Sequence, residues 1–208
     1  MYKFSYFTEP DSDTVIAFMK ENSFAIITAI GETYPVATQI PLFIDMNEEG
    51  KIFLTGHIMR KTDHHKAFEK NENVLVIFNG PHTYVSASWY EEKEVASTWN
   101  YITVHAKGKI KFTDEEGTYE AIKAITNKYE GTDSAAAFDK LPSEYITRLI
   151  KAIVGFKIEV INFDNVFKLS QNHTTHTKQS IAGHLNEKGD EHSAAIAKEM
   201  KKRFIDEP

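Results

Sequence analysis

From residue 24 onward the chain alternates apolar and polar positions in short runs, the two-residue period of strands with one buried face. Residues 24–30 form an apolar, β-rich run closed by Gly31-Glu32. Val36, Thr38, Ile40, Leu42 and Ile44 then alternate with Ala37, Gln39, Pro41 and Phe43. Pro35 and Pro41 lack amide donors, which assigns this run to a sheet edge or a bulge. After the turn Asn47-Glu48-Glu49-Gly50, alternation resumes over 51–58. Further strands are predicted at 73–79, ended by Gly80-Pro81-His82, then at 83–89, 155–163 and 166–169. Residues 100–112 show the clearest alternation. Helical spacing marks 11–22, 62–70 with Thr62 at its cap, 114–129 and 143–153. Residues 131–141 read as a looser connection. After Ser170 the chain becomes polar, rich in histidine and helical, ending in the basic stretch 198–203.

About eight closely spaced strands with few helices between them predict an antiparallel barrel, not a parallel, doubly wound sheet. The expected class is mainly β with peripheral helices. Residues 1–170 would form the barrel domain, and 171–208 a helical C-terminal arm of that same domain.

Composition narrows the chemistry. The 208 residues suit one large domain. There is no cysteine, which removes disulfides, thiolate metal sites, iron–sulfur clusters and a cysteine nucleophile. A net charge of −6 argues against wrapping DNA or coating an anionic membrane by bulk charge. No run approaches the roughly 20 apolar residues of a membrane span. The first residues lack a basic region followed by an apolar core, so no signal peptide is expected and the cytoplasm is the expected setting. Neither GxGxxG nor GxxxxGK[ST] occurs.

Three segments could carry chemistry. Gly56-His57-Ile58-Met59-Arg60-Lys61-Thr62-Asp63-His64-His65-Lys66 runs from a strand end into a helix. Free amides at a helix start attract anions, so Arg60, Lys61 and Lys66, with the Thr62 hydroxyl, could cradle a phosphate. The same residues also make an ordinary solvated basic turn. The segments Gly80 to Tyr90 and Ser97 to His105 hold both tryptophans among Ser, Thr and Asn side chains. That composition suits a planar ligand with polar edges, or an aromatic core with satisfied hydroxyls. Among nine histidines, His64 and His65 are adjacent and point apart on a helix. His173 and His176 have metal-like spacing, but in an expected loop with no carboxylate nearby, and no metal site is predicted. No Ser-His-Asp set can be assembled.

Taken in order, Ala37-Thr38-Gln39-Ile40-Pro41-Leu42, Gly56-His57-Ile58-Met59-Arg60, Gly80-Pro81-His82-Thr83-Tyr84-Val85-Ser86 with Ser88-Trp89-Tyr90, Thr98-Trp99-Asn100-Tyr101 with Val104-His105, Ala152-Ile153-Val154-Gly155-Phe156 and Lys168-Leu169-Ser170-Gln171-Asn172 resemble the PaiB family. The resemblance implies an FMN-binding split barrel similar to pyridoxamine-phosphate oxidase, forming a homodimer with flavin at the subunit interface. It also implies a negative transcriptional regulator acting on protease synthesis and sporulation, with DNA or a regulatory protein as partner.

Residue by residue, the resemblance puts the FMN phosphate near Arg60, Lys61 and Thr62, with Lys66 one turn on and His57 in the strand leading there. It sets Thr38 and Gln39 by the ring, and Ser88, Trp89, Trp99, Asn100 and Tyr101 along it. Lys168, Ser170, Gln171 and Asn172 would close the site from the second subunit. Lys61-Thr62-Asp63 stands where the family commonly has Ala-Asn-Pro. The sequence shows no helix-turn-helix and no basic domain, so DNA contact is expected to be weak and salt-dependent. The alternatives on the same barrel are a flavin-dependent oxidoreductase and a haem-binding or haem-degrading protein.

Overall fold

The computed structural model describes residues 1–2, 4–131 and 133–203. Residue 132 of the predicted connection and residues 204–208 of the predicted arm lie outside the described residues. The elements are α1 (Ser12–Glu21), β1 (Phe24–Ala29), β2 (Val36–Pro41), β3 (Phe43–Met46), β4 (Ile52–Met59), α2 (Asp63–Lys70), β5 (Asn73–Val85), β6 (Thr98–Phe112), α3 (Glu115–Glu130), α4 (Ser143–Ala152), β7 (Ile153–Lys168), α5 (Thr175–Lys188) and α6 (Glu191–Lys202).

The strands form one antiparallel seven-stranded sheet in the order β2-β1-β5-β6-β7-β4-β3. β2 is an edge strand, as Pro35 and Pro41 require. The single run predicted over 36–44 is instead two strands. It splits at Leu42, whose amide donates to Ser23 O at 2.8 Å, so Pro41 ends β2 and Phe43 opens β3 at the opposite edge of the sheet. A one-residue step from edge to edge is geometrically open only if the sheet curls round on itself, the half-barrel of this fold. The registers agree: Ile27 faces Thr38, and Leu54 faces both Ile44 and Ile158.

Two predicted breaks are absent. β5 continues through Gly80-Pro81-His82. There the glycine serves close packing and makes no turn, because a Cβ at Gly80 would lie 2.5 Å from the Phe18 ring. The ladder is interrupted while the strand direction is kept: the His82 amide donates to His192 Nδ1 at 3.3 Å. β7 likewise runs unbroken where two strands were expected.

The chain gathers into two compact units, each assembled from separated stretches. One contains residues 19–78 and 105–163 and holds the curled part of the sheet. Ile27, Leu42, Leu54, Val76, Phe156 and Ile158 are wholly buried in it. α2 packs on β1 and β2, and α3 on β4 and α4. Ile122, Phe138, Ile146 and Ile153 form the core beneath α3 and α4. A Cβ on Gly155 would meet Thr113 Oγ1 at 2.6 Å, so this glycine lets the start of α3 close on β7. The other unit contains 1–18, 79–104 and the chain from 164, and its core includes Ile181, Leu185, Ile196 and Met200 of the paired helices α5 and α6. The predicted arm therefore shares a unit with the N-terminus and the middle of the chain.

Candidate functional site

β4 alternates strictly, with Ile52, Leu54, Gly56 and Ile58 buried. Thr55, His57 and Met59 take the other face, and the strand feeds into Arg60 and α2. The Arg60 amide donates to Ala152 O at 3.0 Å and pins the strand end. Lys61 then turns the chain with φ of 67°, a left-handed conformation rare for a side chain with a Cβ. Thr62 caps α2. Its hydroxyl accepts from the His65 amide at 3.3 Å and donates to Met59 O at 3.0 Å. Asp63 accepts from the His64 amide at 2.8 Å, and that bond holds its carboxyl below the ordinary range.

These bonds correct the expected phosphate cradle. The single proton of the Thr62 hydroxyl is already donated, two amides of the first turn are satisfied from within, and Asp63 adds a negative charge there. What remains for an anion is the set of cations. Among the described residues, the side chains of Arg60, Lys61 and Lys66 have neither a hydrogen bond nor an ion pair. His57 Nδ1 is buried with no partner, and burial lowers the ring's pKa, which keeps it neutral near pH 7. Thr38 and Gln39 sit on the edge strand β2, half-buried and exposed, and among the described residues their side-chain polar atoms make no hydrogen bond. Ammonium and guanidinium groups without partners, one orphaned imidazole nitrogen and an open amide are a donor set that fits FMN: cations for the phosphate, neutral polar groups for the ring edge.

The second group of predicted residues lies in the other unit, and most of it is engaged internally. Asn100 is fully buried. Its amide donates to Ser170 Oγ at 3.0 Å and to Met200 Sδ at 3.7 Å. Ser170 is held with φ of 63°; it and Lys61 are the two non-glycine residues with positive φ among those described. Gln171 folds back on its own turn, accepting from the Leu169 amide at 2.7 Å and donating to Phe167 O. Lys168 donates to Thr98 Oγ1 at 2.6 Å and to Trp99 O at 2.7 Å, and burial pushes its pKa down. Ser88 bonds Ser86 at 2.9 Å. Trp89 stacks on His184 with ring centroids 5.2 Å apart. Tyr101 is partly buried, which raises its phenol.

Trp99 and Asn172, with the already bonded Ser88, are the exposed members, Trp99 being 53% exposed. Sequence reasoning missed the ring of neighbours around Trp99. The rings of Tyr84 and His82 each lie 6.1 Å from it, and the His192 ring lies 4.5 Å from that of His82, tilted by 51°. Tyr84 falls in the strand predicted at 83–89, but no local signal ties His192 to a strand so far back in the chain. His176 is in α5, not a loop, and meets Glu91 at 3.3 Å. No group of three or more His, Asp or Glu side chains converges on a metal-holding arrangement among the described residues.

Residues 1–162 match the family model described as "Putative FMN-binding domain". The chain is 32% identical over 205 residues to the protease synthase and sporulation protein PAI 2 of Bacillus subtilis, covering 98% of each chain. Among solved structures it is similar to the flavocytochrome Anf3 from Azotobacter vinelandii (TM-score 0.62, 13% identity, 80% of this chain and 72% of that one). It is also similar to a FAD- and haem-binding protein from Mycobacterium smegmatis (TM-score 0.58, 12% identity, 77% and 73%). At these identities the two structures speak for the fold alone.

Proposed function

We propose, given that this chain belongs to the PaiB family of FMN-binding domains, that it is a flavin-holding regulator which binds FMN between two copies of itself. The observation that carries the reading is the coincidence of backbone strain with the predicted site. The two left-handed non-glycine residues among those described, Lys61 and Ser170, fall in two segments that the resemblance sets at the cofactor. Strain of about 1–2 kcal/mol per such residue persists only where the surroundings enforce it, and it gathers at ligand clamps.

In this reading Arg60, Lys61 and Lys66 neutralise the phosphate dianion, and Thr62 fixes the helix that presents them. Thr38, Gln39 and the neutral His57 address the polar edge of the ring. Trp99, Tyr101 and Asn172 of a second copy cover it, on a segment braced by Asn100, Lys168, Ser170 and Gln171. FMN, when bound, supplies one- and two-electron chemistry.

Dimerisation is supported by the β1–β2 connection and the neighbouring part of β7, where Ile30, Tyr34 and Ile161 are 72%, 79% and 62% exposed around a cavity of about 790 Å³. Apolar exposure of this kind marks an interaction surface. Among the described residues no helix is long and apolar enough to cross a membrane. A cytoplasmic setting is part of the proposal. DNA contact would rest on Lys198 and Lys201, since Lys202 is paired with Glu199 at 2.5 Å, and would weaken steeply with salt.

The test is the absorbance spectrum of the purified protein after FMN addition, read together with its mass by light scattering. One FMN per chain on a dimer is expected. A monomer that takes up no flavin would defeat the proposal, and fast flavin-dependent oxidation of reduced nicotinamide would make it an oxidoreductase instead.

A further inference from the structure

β5 and α6 meet at two histidines whose hydrogen bonds fix opposite tautomers. The His82 amide donates to His192 Nδ1 at 3.3 Å, so that nitrogen holds a lone pair and the ring proton of His192 is on Nε2. His82 Nδ1 lies 3.4 Å from Gly80 O. A carbonyl only accepts, so neutral His82 carries its proton on Nδ1 and keeps a lone pair on Nε2. Both side chains are exposed, with their rings 4.5 Å apart. Neither Nε2 has a hydrogen bond or an ion pair among the described residues. The pair therefore offers one acceptor and one donor.

These histidines border an open aromatic surface. The His82 ring lies 6.1 Å from Trp99, tilted by 37°, and Tyr84 meets Trp99 edge-on at the same distance. All four side chains belong to one compact unit of the chain. An isoalloxazine has three fused rings and an indole two, so a flavin lying on Trp99 overhangs it. One end of that flavin is hydrocarbon. The other is an imide edge, where the N3–H donor stands between two carbonyl acceptors. One acceptor beside one donor matches N3–H and an adjoining carbonyl, whereas two donors would leave N3–H without a partner.

We propose that His82 and His192 of the second copy read the imide edge of FMN. His82 Nε2 accepts from N3–H, and His192 Nε2–H donates to a neighbouring carbonyl. This rests on the reading of Trp99 as the cover that a second copy lays over the ring. The other polar atoms at that end of the flavin are left to Thr38, Gln39 and His57 of the first copy. The pair selects a flavin whose N3 is free, because a methyl group there removes the donor and leaves the His82 lone pair facing carbon.

The test is fluorescence titration of the full chain with FMN and with N3-methyl FMN, on the parent, His82→Asn and His192→Asn. Asparagine keeps a polar atom near the place of Nδ1 and deletes Nε2. It can still donate to Gly80 O in the first variant and still accept from the His82 amide in the second, so the tie between β5 and α6 stays. The parent should bind N3-methyl FMN at least about tenfold more weakly than FMN. His82→Asn should weaken FMN by about three- to tenfold and leave N3-methyl FMN unchanged, which narrows the gap between the two ligands. His192→Asn should weaken both by a similar factor. His192→Gln carries its amide outward to the place of Nε2. Free of flavin it should melt lower than His192→Asn, yet it should hold FMN more tightly. Equal affinity of the parent for the two flavins, loss of both alike in His82→Asn, or the reverse order of the two His192 variants overturns the proposal. In each of these cases FMN bound to a dimer leaves the flavin reading standing. A parent that takes up no FMN overturns both.

Discussion

Replacing Asn100 by alanine separates two roles that the sequence alone leaves merged. The resemblance sets Asn100 along the flavin ring, whereas in the structure it is fully buried and shares two hydrogen bonds with Ser170, at 3.0 and 3.2 Å. Asn100→Ala deletes both bonds and leaves the Ser170 hydroxyl buried, Ser170 being 4% exposed. An orphaned buried polar group costs about 1–3 kcal/mol, and the small void adds to it, giving a loss of about 3 kcal/mol. For a chain of this size that is a fall in Tm of roughly 6–12 °C. Thermal unfolding of the FMN-free protein measures this without any contribution from the cofactor. Ser170→Ala should lose less, because the Asn100 amide still reaches Met200 Sδ at 3.7 Å, and the double variant should lose less than the sum of the two. If Asn100→Ala melts like the parent but binds FMN poorly, the amide serves the ligand and the bracing role is wrong.

Other consequences are equally open to measurement. The Arg203 guanidinium bonds Glu9 at 2.6 Å and Glu199 at 3.0 Å, and Glu9 is in turn held by Asn165. The Arg203 side chain is 23% exposed, so Arg203→Ala should cost about 2 kcal/mol, less than a fully buried pair, and speed hydrogen exchange along the last turns of α6. Asp190 caps α6, and the Ser193 hydroxyl and amide hold its pKa down to about 2. A depressed carboxylate pKa contributes stability above the unfolded value of about 3.9 and loses it as pH falls through the folded value. Loosening of α6 between about pH 4 and pH 2, followed by the NMR shift of the Asp190 carboxyl, should therefore disappear in Asp190→Asn.

Where the structure follows local chemistry, it was legible in advance. Pro35 and Pro41 announced an edge strand because they cannot donate to a ladder. Thr62 announced a cap, and the alternation over 100–112 announced β6. What escaped depends on partners distant in sequence. Gly80-Pro81 reads as a turn until the Phe18 ring that fills the glycine's missing side chain is known. The split at Leu42 follows from sheet curl, which no window of residues encodes. At the junction of β4 and α2 the cations are free of partners among the described residues, but the helix start offers less to an anion than its spacing suggests. Thr62 and Asp63 occupy the very amides that an anion would use, a competition set by side-chain geometry and invisible in spacing. Asn100, Ser170 and Gln171 were set at the site by the resemblance; their internal hydrogen bonds depend on contacts that the motifs do not encode.

The central claim is that FMN is held through its phosphate by Arg60, Lys61 and Lys66, with Thr62 acting only on the helix. Fluorescence titration of the parent chain with FMN and with riboflavin, repeated on Arg60→Ala and Thr62→Ala, tests it most directly. The account predicts tighter binding of FMN than of riboflavin. It predicts a loss of about ten- to hundredfold in FMN affinity for Arg60→Ala with riboflavin unchanged. Thr62→Ala should lose about 1 kcal/mol of stability and keep its preference for FMN. Equal affinity for the two flavins, or an Arg60→Ala variant that binds FMN as the parent does, would contradict it.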